Sequence, residues 1–158
     1  MTMDATPRKR VRIVLADDHQ MFRDALRRLL DAEPDLVVVA EAGSAEEAIA
    51  LTLRYAPDVL LLDVAMPNGS GLSVIEQITA ASKGSRIIMV TGAIEDTDLL
   101  RALHLGARGF VVKESGATQL LASIRTVHSG DYFVGRECMA DLMTTVRSLS
   151  GSPGAARQ

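Results

Sequence analysis

Five times along this chain a short apolar run gives way to a stretch of helical periodicity, and that alternation decides what the chain can fold into. Residues 11–16, 36–40, 59–62, 87–90 and 109–112 are short and rich in Val, Ile and Leu, and they read as strands. Between them, Met21, Phe22, Ala25, Leu26, Leu29 and Leu30 recur at helical spacing, with Arg23, Arg27 and Arg28 on the other face. Ser44 followed by Glu47 is a capping-box start for a helix through Tyr55, with Ala45, Ala48, Ile49 and Leu53 on its apolar side. Leu72, Ile75, Ile78 and Thr79 mark a third helix. Leu99, Leu100, Leu103 and Leu105 lie in a fourth that Gly106 ends, and Leu120, Leu121, Ile124 and Val127 mark a fifth. This βα repetition predicts an α/β fold, a doubly wound parallel sheet with helices on both faces.

Composition sets limits on this picture. With aromatics at 3% and no Trp, Leu, Ile, Val and Ala must fill the interior, which suits helices layered on a sheet. A net charge of −3 supplies no basic field for nucleic acid, and the run Arg8-Lys9-Arg10-Val11-Arg12 reads as a solvated entry to the first strand. Cys138 is the only cysteine, so no intrachain disulfide forms. No apolar run approaches the roughly 20 residues that span a bilayer, and the expected location is the cytoplasm. After Gly130 the rhythm stops. Residues 135–149 suit one more amphipathic helix, with Cys138, Leu142, Val146 and Leu149 on one side, and 150–158 has linker composition. The expected organisation is a flexible start (1–9), one α/β domain (10–129), a linker helix (130–149) and a flexible tail (150–158).

Polar residues fall at the strand ends. Asp17 and Asp18 follow the first strand, Asp63 the third, Thr91 the fourth and Lys113 the fifth. In an open parallel sheet, ligands bind outside the carboxyl ends of the strands, so these positions converge on one crevice. One strand-end aspartate is an ordinary cap or turn residue; Lys113 is no cap, and the ordered set points to chemistry. Clustered carboxylates need a cation, and Mg²⁺ suits oxygen ligands that leave room for phosphate. A carboxylate can act as nucleophile to form an acyl phosphate, while an ammonium and a hydroxyl stabilise the transferring group.

From about Arg10 to Ser129 the chain resembles the receiver domains of two-component response regulators. The resemblance lies in VLADDH (14–19), LLLDVAMPNGSG (60–71), VTGA (90–93) and GARGFVVKES (106–115), and its first and last pieces look most like the LuxR/NarL-type subgroup. It implies a flavodoxin-like (βα)5 fold of strand order 2-1-3-4-5, here with an extra C-terminal helix. It also implies that Asp63 accepts the phosphoryl group from a sensor histidine kinase. Asp18 binds Mg²⁺ directly, Asp17 largely through water, and the backbone carbonyl of Ala65 completes the ligands. Lys113 pairs with the phosphoryl oxygens, and Thr91 and Phe110 carry the signal to the face of helix four, strand five and helix five. Phe110 lacks the hydroxyl often found there, and reads equally as a core aromatic. Glu114 stands where a proline often follows the lysine, which makes a cis peptide there less secure. The small Ala65 and Ala93 occupy positions that tune acyl-phosphate lifetime.

Receivers of this subgroup usually continue into a DNA-binding helix-turn-helix, and the expectation is that this output module is absent here, the chain being a shortened form. No sequence-specific DNA binding is then expected. A homodimer through helices one and five is typical of the family; Leu121, Ile124 and Val127 serve either that contact or the core. Two other functions compete: an aspartate-nucleophile phosphatase, which usually needs an acid where Ala65 stands, and a phosphorylation-independent dimerisation scaffold. His19 reads as part of the mouth of the first loop. His104 and His128 are scattered, and Met66 is read as packing.

Overall fold

The computed structural model describes residues 9–66, 71–92 and 99–156, with 150–156 as backbone alone. Residues 1–8 of the expected start, the loop 67–70, residues 93–98 with Ala93 among them, and residues 157–158 lie outside the described residues.

The strands are β1 (Val11–Ala16), β2 (Leu36–Ala42), β3 (Val59–Asp63), β4 (Arg86–Thr91), β5 (Gly109–Val112) and β6 (Phe133–Val134). The helices are α1 (Gln20–Asp31), α2 (Ala45–Tyr55), α3 (Gly71–Ala81), α4 (Leu99–Leu105), α5 (Ala117–His128) and α6 (Arg136–Ala156). The sheet is parallel throughout, in the order β2-β1-β3-β4-β5-β6. The expected order of five strands is present, and a sixth extends its edge. β6 pairs Phe133 with Gly109 and Val134 with Phe110; two residues show no periodicity, so it could not be read from sequence.

Because both faces of a doubly wound sheet are covered, alternate residues of each strand feed different cores. Ile13, Leu15, Val59, Leu61, Ile88, Val90 and Val111 meet α1 and α5. Val14, Ala16, Leu60, Leu62, Ile87, Met89 and Phe110 meet α2, α3, α4 and the start of α6. Ile124 and Val127 are fully buried in the first of these cores, so of the three residues considered for a dimer contact only Leu121 keeps an exposed part.

Several local readings change. Met21 lies on the edge of the α1 stripe and is 86% exposed, while Leu26 and Leu30 face the core. On α2 the buried position is Thr52 and Leu53 points outward, because the helix turns its small-residue side to the sheet. Ser44 caps α2 as expected, accepting from Glu47 N, but the Glu47 carboxylate reaches Gly43 N instead of Ser44 N. Arg12 is not merely solvated. Its guanidinium donates to the carbonyls of Tyr55 (2.6 Å) and Ala56 (3.1 Å), capping the carbonyl end of α2 where a cation is favoured. Helix α6 continues to Ala156 through the segment expected to be a flexible tail.

Candidate functional site

The carboxyl ends of β1, β3, β4 and β5 bring Asp17, Asp63, Thr91 and Lys113 to one edge of the sheet. Asp63 and Thr91 are the last residues of their strands, and Lys113 opens a short 3-10 turn after β5. Asp17, Asp63 and Thr91 are all buried, at 3%, 2% and 3% exposure, which for the two carboxylates is unusual without partners.

The partners are present. Lys113 Nζ lies 2.9 Å from Asp17 Oδ2 and 3.3 Å from Asp63 Oδ2. Ala65 N–H donates to Asp63 Oδ1 at 3.0 Å, which fixes the rotation of that carboxylate and leaves Oδ2 turned to the lysine. Burial raises the Asp63 carboxyl above its ordinary range; the Ala65 N–H opposes this, the Asp17 charge adds to it and Lys113 reduces it. For Lys113, burial alone would lower the ammonium, but Asp17 and Asp63 outweigh it and the net shift is upward. The lysine therefore stays charged and the aspartate is held at higher free energy when ionised.

Two further groups set the loop after β1. Arg23 donates to the Asp17 carbonyl and pairs with Glu41 at 3.2 Å, tying α1 to β2 beneath the site. Helical spacing put Arg23 on the outer face; its long side chain folds back instead, so only 13% of it is exposed. Phe22 lies under the lysine, with Nζ 4.7 Å from the ring centroid. Sequence reasoning missed both, because nothing in helical period says where a long or flat side chain bends. His19 was placed at the loop mouth, and there it stands, with its N–H donating to Asp17 Oδ1 at 2.8 Å.

The donor set fits a divalent cation. Asp17, Asp18, His19 and Asp63 each offer one ligand atom, and these atoms lie within 4.8 Å of one another. Asp17 Oδ2 is sealed from solvent and faces the Lys113 ammonium at 2.9 Å. Hard carboxylate oxygens in this number suit Mg²⁺, which takes few protein ligands and keeps its waters. Ala65 is exposed and adjoins Asp63; its N–H has the contact given above. Phe110 is 1% exposed in the middle of a core, and its carbonyl accepts from Gly135 N at 2.7 Å. The described residues contain no cis peptide, and the Lys113–Glu114 bond is trans.

Comparison with known proteins gives a consistent result. Residues 13–125 match the family described as response regulator receiver domain. The DNA-binding transcriptional activator DevR/DosR of Mycobacterium tuberculosis is 35% identical over 140 residues, covering 89% of this chain and 64% of that protein. The oxygen regulatory protein NreC of Staphylococcus aureus is 34% identical over 146 residues, covering 92% of this chain and 67% of its own length. The chain thus spans about two thirds of these curated relatives. Among solved structures, a LuxR-family two-component response regulator from Aurantimonas superposes with a TM-score of 0.80 at 29% identity, covering 87% of this chain and 98% of that one. The signal receiver domain of the NarL regulator of Mycobacterium tuberculosis gives 0.72 at 30% identity, covering 78% and 99%.

Proposed function

This chain belongs to the response regulator receiver domain family, with relatives of the LuxR/NarL type, and from that premise we propose that it is a switch set by phosphorylation of Asp63. The observation that carries the reading is the Lys113 ammonium held between two buried carboxylates, 2.9 Å from Asp17 and 3.3 Å from Asp63. A phosphohistidine of a sensor kinase is the donor. The phosphorus–nitrogen bond breaks as an oxygen–phosphorus bond forms at Asp63, giving an acyl phosphate. Burial that raises the Asp63 proton affinity also makes its carboxylate a stronger nucleophile. Lys113 meets the negative charge that arrives on the phosphoryl oxygens, so the positive group is in place before transfer.

Mg²⁺, held by Asp17, Asp18, Asp63 and the Ala65 carbonyl, would supply charge neutralisation for the phosphoryl oxygens when bound. Thr91, at the end of β4 beside Asp63 in the sheet, is the hydroxyl that turns to the phosphoryl group, and Phe110 on the next strand follows it by repacking. That change of surface governs a transcriptional output. Contact with DNA falls to a C-terminal module of the kind that residues 130–149 would join to the receiver. A homodimer through α1 and α5 fits the apolar cleft lined by Phe22, Ala25, Leu29 and Leu120. The proposed location is the cytoplasm; no described helix is long and apolar enough to cross a membrane.

The test is phosphoryl uptake from a small acyl-phosphate donor in Mg²⁺, followed by mass mapping. Wild type gains one phosphoryl group on Asp63, and Asp63→Asn gains none. Equal uptake by that variant would sink the reading.

A further inference from the structure

We infer that Phe22 is a positioning residue for phosphoryl transfer to Asp63: the face of its ring seats the Lys113 ammonium and lets it turn from Asp17 to the incoming phosphoryl group. The inference rests on the phosphoacceptor reading, because it concerns the lysine that serves Asp63.

Lys113 carries its charge at the end of a flexible stem, so what surrounds the ammonium decides where it rests. Three polar atoms surround Nζ: Asp17 Oδ2 at 2.9 Å, Asp63 Oδ2 at 3.3 Å and His19 Nδ1 at 3.3 Å. The shortest contact is to Asp17, so the polar neighbours by themselves draw the ammonium off the nucleophile. The Phe22 ring is the fourth neighbour. Nζ lies over its face, 4.7 Å from the centroid, inside the roughly 6 Å at which a ring quadrupole attracts a cation. Phe22 stands in the first turn of α1, directly after the loop that carries Asp17 and Asp18, so that loop and the ring are fixed together.

A hydrogen bond to a carboxylate holds an ammonium in one direction, whereas attraction to a ring face does not. An ammonium resting on the ring can therefore turn from Asp17 to new phosphoryl oxygens on Asp63 without leaving its seat. The ring also keeps water from that side of the charge, which strengthens its pull on the transferring group. Packing does not account for the choice of a ring, because Leu26 and Leu29 on the same helix meet the same core with aliphatic chains. A cleft of about 160 Å³ adjoins both the ring and the lysine, lined also by Leu29, Val112 and Leu120. That space exceeds the roughly 30 Å³ share of one water, so a shortened side chain at position 22 admits water to the ammonium.

The experiment measures the rate of phosphoryl uptake from a small acyl-phosphate donor in saturating Mg²⁺, on the full chain, for wild type, Phe22→Leu and Phe22→Tyr. Leu keeps apolar packing without a π face, and Tyr keeps the face. The expected rate is about three- to tenfold lower in Phe22→Leu and within about twofold of wild type in Phe22→Tyr. In the Lys113→Met background, Phe22→Leu should change the residual rate by less than about twofold, since the ring then has no cation to hold. The second measurement is the NMR shift of the Lys113 Hε protons. Wild type and Phe22→Tyr should show the upfield displacement of protons over an aromatic face, and Phe22→Leu should lose it. An unchanged rate in Phe22→Leu, an equal loss in the Lys113→Met background, or no ring-current displacement in wild type would overturn the inference. Absence of uptake by the wild-type chain is the separate failure of the phosphoacceptor reading; uptake indifferent to the ring is the failure of this inference alone.

Discussion

Asp63 and Lys113 are both shifted upward, and their stabilising windows close on opposite sides of neutral pH. The folded Asp63 carboxyl titrates above its ordinary 3.8, chiefly through burial, so the folded state binds that proton more tightly than the unfolded one. Its contribution is fully present below the unfolded value and is lost as pH rises through the folded one. Without divalent cations at neutral pH, Asp63→Asn therefore raises the melting temperature, and the gap from wild type closes as the pH falls towards 3.8. A variant that melts lower at neutral pH would contradict this. Lys113 is also raised, from 10.5, by Asp17 and Asp63 against the opposing effect of burial, so its stabilisation is present below 10.5 and fades above its folded value. Lys113→Met strands two buried carboxylates. It is expected to cost about 2 kcal/mol in urea unfolding, less than the roughly 3–5 kcal/mol of a fully sealed pair because the ammonium is partly solvated. The loss should shrink in the Asp63→Asn background, where one carboxylate is already neutral. These residues were legible in sequence because each stands at a strand end, where the backbone fixes its direction. Arg23 and Phe22 were not, since their roles depend on how a side chain bends after leaving a helix.

The turn between β3 and α3 places the nucleophile, and one glycine makes that turn close enough. A Cβ at Gly71 would come within 2.9 Å of Val64 Cα and Cβ, in the residue directly after Asp63. Gly71→Ala must push β3's exit or α3 aside, at roughly 1–3 kcal/mol, and should slow phosphoryl uptake because the Ala65 N–H no longer holds Asp63 in place. Gly84→Ala is the control, with nothing within 4 Å of the added atom; comparable loss there would remove the steric argument. Ser44→Ala deletes the bond to Glu47 N and should cost about 1 kcal/mol of unfolding free energy with uptake intact, as the bond removed joins α2 to its own cap and to no site residue. At this scale the strands and helices were readable from periodicity, and so was the Ser44 cap of α2. What was lost sits where period is absent or ambiguous: the two-residue β6, the choice of Thr52 over Leu53, and the exposure of Met21.

Across the molecule, α6 and the site share one strand. β6 leads into α6 and pairs with Phe110, Gly135 N donates to the Phe110 carbonyl, and Cys138 is buried in the same core as Phe110, Leu99 and Ala102. If phosphorylation acts through Phe110, a repacked ring must be felt at Cys138 before it reaches anything beyond. The thiol reports on this directly. Burial, aided by Glu137 and Asp141, pushes Cys138 up from 9.0 to about 11, which leaves roughly a hundredfold less thiolate than an unfolded chain near neutral pH. Alkylation of the folded, unphosphorylated protein should be slower than that of the urea-unfolded protein by roughly that factor, since the thiol is also fully buried. Addition of beryllofluoride with Mg²⁺, a phosphoryl mimic, should then accelerate it in wild type and leave Asp63→Asn unchanged. A rate indifferent to the mimic in wild type, with Asp63 occupied, would mean that α6 is fixed packing on the sheet. The output path would then have to leave by the α4 surface without involving the helix that leads out of the domain.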